Sequence, residues 1–141
     1  MMKAISLWEP WATAMALNLK RNETRSWSTN YRGDLAICAA KRPMTGDERY
    51  IWDEFIQPCF PNELVQYGCV LCIVNVIDCL KTESIIEKVS AAEYDLGNYE
   101  SGRFAWVTDN CRRLIKPVPI KGTQGFFNLP PDIEQQVRNQ I

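Results

Sequence analysis

A chain of 141 residues with a formal net charge of −1, 46% hydrophobic and 23% charged residues, has the make-up of an ordinary globular protein. Read as one domain, residues 1–141, it buries roughly 65–70% of its unfolded surface, enough for a core without staples. The near-zero charge excludes a global basic field, so a nucleic-acid site must be a local patch with salt-sensitive affinity.

KAISL (3–7) alternates polar and apolar residues and predicts a short strand. Pro10 stops it and suits the first turn of a helix. WATAMALNLK (11–20) then reads as a helix of about three turns, with Trp11, Met15 and Leu19 on one face. ETRSW leaves it as a strand or extended loop, and NYRGD (30–34) turns at Gly33. LAICAA (35–40) is a continuous apolar run and predicts a buried strand. MTGDERYIWDEFIQPCF predicts a second helix, capped by Thr45 or Gly46 and ended by Pro58. Gly68 opens CVLCIVNVIDCL, the strongest strand signal. Residues 82–96 suggest short helices, with a capping box from Ser90 to Glu93. RFAWVTD (103–109) alternates as a strand, KPVPIKG and QGFFNLP read as short β segments, and 130–141 as a terminal helix. Short strands with helices at the edge predict an α+β fold, a small barrel.

The absence of histidine removes the commonest general base and metal ligand. Ser-His-Asp and Cys-His mechanisms are excluded. Cys69-Val-Leu-Cys72 has metal-like spacing, but an odd offset along a strand puts the two thiols on opposite faces. No second pair completes a zinc site, so these cysteines read as small buried apolar residues. No metal and no cofactor is expected. No run reaches the ~18 apolar residues of a membrane span. MMKAISLWEP is too short and polar for a secretory signal. The expectation is a cytoplasmic chain, free of membrane, with its six cysteines reduced.

The densest chemistry lies in NLKRNETRSW (18–27). If Lys20 ends a helix and Glu23 begins a strand, Lys20, Glu23 and Arg25 turn toward one cleft. A carboxylate between two cations stays ionised and rigid. It can accept from a base amino group or serve as a general base. The alternative is a solvated salt bridge at a helix end. Trp8 and Trp11 flank Pro10, and Trp27 follows the charges. Tryptophans usually pack in cores, yet beside basic residues they also stack on bases. Arg25, Arg32, Lys41, Arg42 and Arg103 are candidate phosphate contacts.

The order SLWEPWA, NLKRNETRSW, YRGDLAICAAK, RFAWV, PVPIKGTQGFF resembles an ASCH domain, the PUA-like fold of the ASC-1 homology family, over about residues 3–129. The family's signature G-x-K-x-x-E-x-R reads here Asn18-Leu-Lys20-Arg-Asn-Glu23-Thr-Arg25. Asparagine replaces the glycine and tolerates the left-handed conformation better than most residues. The resemblance implies a PUA-like β-barrel with flanking helices and a cleft holding the signature residues. ASCH domains are viewed mainly as RNA- or nucleic-acid-binding modules, and some members are ribonucleases or hydrolyse N4-acetylcytidine. In the amidohydrolases the signature lysine works with a threonine three residues later and a glutamate on a later strand. Glu23 occupies that threonine position, Thr24 would point the other way, and the later strand offers Asn75 and Asp78. A histidine often stands where Cys38 is found.

Three functions follow. The first is a nucleic-acid-binding module for RNA or a modified or unpaired nucleotide. Trp11 and Pro10 form one wall of its pocket and Lys20, Glu23 and Arg25 the floor, with Trp8, Trp27, Lys41 and Arg103 around it. A base stacked there gains roughly 1–3 kcal/mol and must be unpaired or flipped. The expected partner is single-stranded or modified nucleic acid, or a nucleotide. The second is an enzyme on such ligands, ribonuclease or amidohydrolase-like, with Lys20 and Glu23 catalytic. The third is a protein-interaction adaptor with an apolar patch around Tyr50, Trp52 and Phe55.

Overall fold

The computed structural model describes residues 1–121 and 124–141. Gly122, which ends KPVPIKG, and Thr123 lie outside the described residues. Strand β1 (Lys3–Leu7) lies parallel to β3 (Gly33–Ala39), with Lys3 opposite Leu35. β4 (Cys69–Lys81) runs antiparallel to β3, and β5 (Phe104–Pro119) antiparallel to β4. β2 (Asn22–Arg25) flanks β5 and β6 (Phe126–Asn128) flanks β1, giving the order β2-β5-β4-β3-β1-β6. The sheet curls until its two ends approach. Phe126 on β6 meets Trp106 on β5 edge to face, centroids 5.9 Å apart, and Arg25 on β2 donates to the Ser6 carbonyl on β1 at 3.2 Å. The α+β class is as expected. The barrel is an open, curled sheet whose ends are joined by side chains.

The apolar run of β3 is explained by burial on both faces. Leu35, Ile37 and Ala39 pack with helix α1 (Trp11–Ala16), while Ala36 and Cys38 face the side covered by α5 (Pro131–Arg138). Burial pushes the Cys38 thiol up to about 12. α5 is tied down by the Gln140 side chain, which accepts from the Lys116 N–H at 3.0 Å and donates to its carbonyl at 2.8 Å, as a strand partner would.

Helix α1 is shorter than predicted. Asn18 adopts φ 59°. Its N–H donates to Met15 and that of Leu19 to Ala14, at 3.0 and 2.9 Å, which closes the helix in a Schellman turn. Leu19 therefore leaves the face shared by Trp11 and Met15 and packs beside Trp52 instead. At the other end Glu9 does the capping. Its two oxygens accept from the Thr13 N–H at 2.8 Å and hydroxyl at 2.6 Å. Burial raises the Glu9 carboxyl above its ordinary value, and the Thr13 hydrogen bonds offset only part of this.

Four further expectations are corrected. Helix α2 (Gly46–Ile51), capped by a Thr45–Glu48 box, continues as a π-helical turn over Trp52–Ile56. The wider turn buries Trp52 to 2% exposure and half-buries Phe55, leaving Tyr50 clear at 62%, so the adaptor patch does not form. In β4 the register shifts at Leu71, and this bulge puts Cys69 and Cys72 in the same core cluster, not on opposite faces. The predicted strand 103–109 is joined in β5 to residues 116–119 of the predicted segment 116–122, with Asn110 at φ 50° between them. Between β4 and β5 lie α3 (Thr82–Ile85) and α4 (Ala91–Asp95). Ser90 accepts from the Glu93 N–H, but the Glu93 carboxylate is engaged elsewhere, so the capping box is half formed. Among the described residues, no helix is long and apolar enough to cross a membrane.

Candidate nucleic-acid interface

The Schellman turn at Asn18 sends the chain from α1 into β2 through five residues, 17–21. Lys20, at the bend, is 3% exposed, and its Nζ donates to Glu23 Oε1 at 3.2 Å. β2 then alternates. Glu23 and Arg25 face one side, with Arg25 Nε 3.3 Å from Glu23 Oε2. Asn22 and Thr24 face the other, where Asn22 donates to the Tyr99 hydroxyl and the Thr24 hydroxyl accepts from the Asn98 N–H. This two-residue period delivers a carboxylate with a cation on each oxygen. Burial pushes the Arg25 guanidinium below its ordinary value, Glu23 pulls it up, and the nearby charge of Arg103 pushes it down again.

These residues form the floor of a cleft of about 1250 Å³, more than a single small molecule requires. Trp8, Trp11, Lys20, Glu23, Arg25, Trp27, Lys41, Arg42 and Arg103 all line it. Trp8 is 53% exposed and carries the Arg42 guanidinium on its ring at 3.8 Å. Arg42 is held by two hydrogen bonds to Glu48, at 3.0 and 2.6 Å. Burial alone would raise the Glu48 carboxyl, but the bonds from Arg42 and Thr45 outweigh it and leave it below the ordinary value. Trp27 is 43% exposed, with Arg25 5.0 Å from its ring centroid and Trp106 beneath its edge. Five basic side chains line the cleft against two carboxylates, Glu23 and Asp95, on a chain that is net negative.

Two expected contributors lie elsewhere. Pro10 is buried at the start of α1 and does not reach the cleft wall, because Glu9 and Pro10 turn inward between the outward-facing rings of Trp8 and Trp11. Arg32 points to Asp78 at 3.7 Å and to the carbonyls of Thr29 and Tyr31. Cys38, Asn75 and Asp78 are also outside the cleft lining. The sequence reading missed the wall at Asp95–Asn98 and the strand ends at Ser6–Leu7 and Ala39. Gly97-Asn98 is a turn-forming dipeptide that could have pointed to a loop there, but its approach to β2 depends on long-range contacts.

An open curled six-stranded sheet with a helix packed in it is the α+β architecture of PUA-like domains. The family model described as ASCH domain matches residues 5–118, and the chain belongs to that family. ASCH domains are in general RNA-binding modules of PUA-like fold. Activating signal cointegrator 1 of Mus musculus and of Homo sapiens are each 30% identical over 145 residues, covering 97% of this chain. The chain spans 24% of the length of these relatives. The crystal structure of ASCH from Zymomonas mobilis superposes with a TM-score of 0.61 at 14% identity, covering 98% of this chain and 94% of that one. A tyrosine-to-phenylalanine mutant of the same Zymomonas mobilis protein gives the same score and identity, with 98% and 96% covered. At such identity the likeness shows the shared fold.

Proposed function

We propose that the cleft binds single-stranded RNA by taking an unpaired, unmodified or modified, base between its tryptophans, above the Lys20–Glu23–Arg25 floor. The observation that carries this is the floor itself. A fixed carboxylate with a cation on each oxygen, Lys20 buried and Arg25 half-buried, can accept from a base amino group, while the cations donate to base carbonyls or phosphates. Stacking on Trp8, Trp11 or Trp27 supplies affinity without demanding a particular sequence. The positive lining within a net negative chain favours local, salt-sensitive binding over coating of long duplexes.

The test is a titration of short single-stranded RNA and DNA, and of modified nucleosides, at low and moderate salt. Lys20→Ala and Trp11→Ala are run beside wild type. Each variant should weaken binding about 5- to 100-fold, the range expected for one stacked base or one charged contact. Binding indifferent to both changes would remove the ligand from this cleft. Incubation of a bound ligand, followed by product analysis, asks whether Lys20 and Glu23 also do chemistry.

A further inference from the structure

We propose that Arg25 and Arg103 form a phosphate subsite at the β2 end of the cleft, distinct from the stacking surfaces at Trp8 and Trp11. The inference rests on the nucleotide-binding reading above and adds where the anionic group sits. It follows from sorting the cleft's cations by what already neutralises them. Arg42 has spent its guanidinium fork on Glu48, at 3.0 and 2.6 Å, and supports the Trp8 ring. Lys20 and Arg25 share one carboxylate, Glu23. Among the described residues neither Arg103 nor Lys41 pairs with a carboxylate, and the two residues outside them, Gly122 and Thr123, carry no charge; the Lys41 stem lies along Gly68, whereas Arg103 is bound to β2 itself. At β2, Glu23 thus serves a group of three cations, Lys20, Arg25 and Arg103, two of them guanidinium groups.

Both arginines are nevertheless held in place. Arg25 donates from Nη2 to the Ser6 carbonyl at 3.2 Å. Arg103 donates from Nε to the Asn98 carbonyl at 3.2 Å and from Nη2 to the Thr24 carbonyl at 3.1 Å. Carbonyls fix a guanidinium without cancelling its charge, which leaves the fork ready for an anion. The ion pair from Arg25 Nε to Glu23 lacks hydrogen-bond alignment, so this buried N–H has no acceptor among the described residues. Trp27 lies against the Arg25 guanidinium and shields it from water on one side. The like charge of Arg103, acting on a half-buried Arg25, is a cost that a bound phosphate would relieve.

Calorimetric titration with adenosine, its 5′- and 3′-monophosphates, inorganic phosphate and an RNA oligonucleotide tests this. We expect at least one monophosphate to bind more than 10-fold tighter than adenosine in wild type. Arg103→Gln should remove that advantage and flatten the log-log salt slope for the oligonucleotide by about 0.7–1. Arg103→Lys, which restores the charge but not the fork, should recover the slope and only part of the affinity. Inorganic phosphate should compete with the monophosphate, but not with adenosine, in wild type; this arm holds even if Arg103→Gln folds poorly. Equal binding of nucleoside and monophosphates with an unchanged slope in Arg103→Gln would overturn the subsite and leave the base site standing. Failure of every probe to bind would overturn the cleft reading itself.

Discussion

The two walls of the cleft are held by different forces. On one side α1 has five of its six residues buried, and Met15 and Ala16 pack directly on the sheet. On the other, α3 and α4 bury little: Leu96, Tyr99 and Thr82 are the buried residues of the stretch between β4 and β5. That stretch is fastened to β2 by polar contacts. Glu93 accepts from the Arg21 N–H at 2.7 and 3.0 Å, Asn98 donates to Thr24, and Tyr99 accepts from Asn22. Apolar packing gives a wall that opens only with the whole fold, whereas hydrogen bonds near solvent permit local opening. The signature strand lies between them, so local opening is expected on the Asp95–Asn98 side before any at the floor.

Substitutions break this comparison in graded ways. Met15→Ala, at 1% exposure, should cost about 2–5 kcal/mol in chemical denaturation and lower the global midpoint. Glu93→Ala leaves the amides of Arg21 and Asn22, at the entry to β2, without their acceptor and should cost about 1–3 kcal/mol. Its mark should be faster hydrogen exchange at Arg21, Asn22 and residues 91–99, with β3 unaffected. If Glu93→Ala instead lowered protection evenly across the sheet, the opposite wall would be part of the global core. Asn18→Ala places a β-carbon-bearing residue without asparagine's tolerance at φ 59° and should cost about 1 kcal/mol. Asn18→Gly should be neutral or slightly stabilising.

The smallest effect concerns pH. Because burial raises the Glu9 carboxyl, the folded state favours its protonated form. That contribution is present below the ordinary carboxylate value and is lost as pH rises through the higher folded-state value. Glu9→Gln cannot ionise, so the stability of wild type relative to this variant should fall as pH rises through the weakly acidic range. A flat difference would mean that Glu9 is charged in the fold throughout.

What the sequence made legible was local. The alternation of KAISL, the two-faced burial of LAICAA, the Thr45 cap and the left-handed role of Asn18 each depend on neighbours a few residues away. Lys20, Glu23 and Arg25 converge because a turn and a period-2 strand require it. The failures were non-local. One extra residue at Leu71 reversed the facing of Cys72 relative to Cys69. A π turn sank Trp52 beneath α1. Glu93 left its own helix cap for amides 71 and 72 residues away in sequence. None of these carries a short-range pattern, and the second wall of the cleft rests on the last.

The central claim is that RNA enters this cleft and rests on β2. Amide hydrogen exchange with and without a saturating single-stranded RNA oligonucleotide tests it most directly. We predict slower exchange over Asn22–Arg25 and residues 95–98, with α5 unchanged. Protection confined to α5 and β6, or no protection at a saturating concentration, would contradict it.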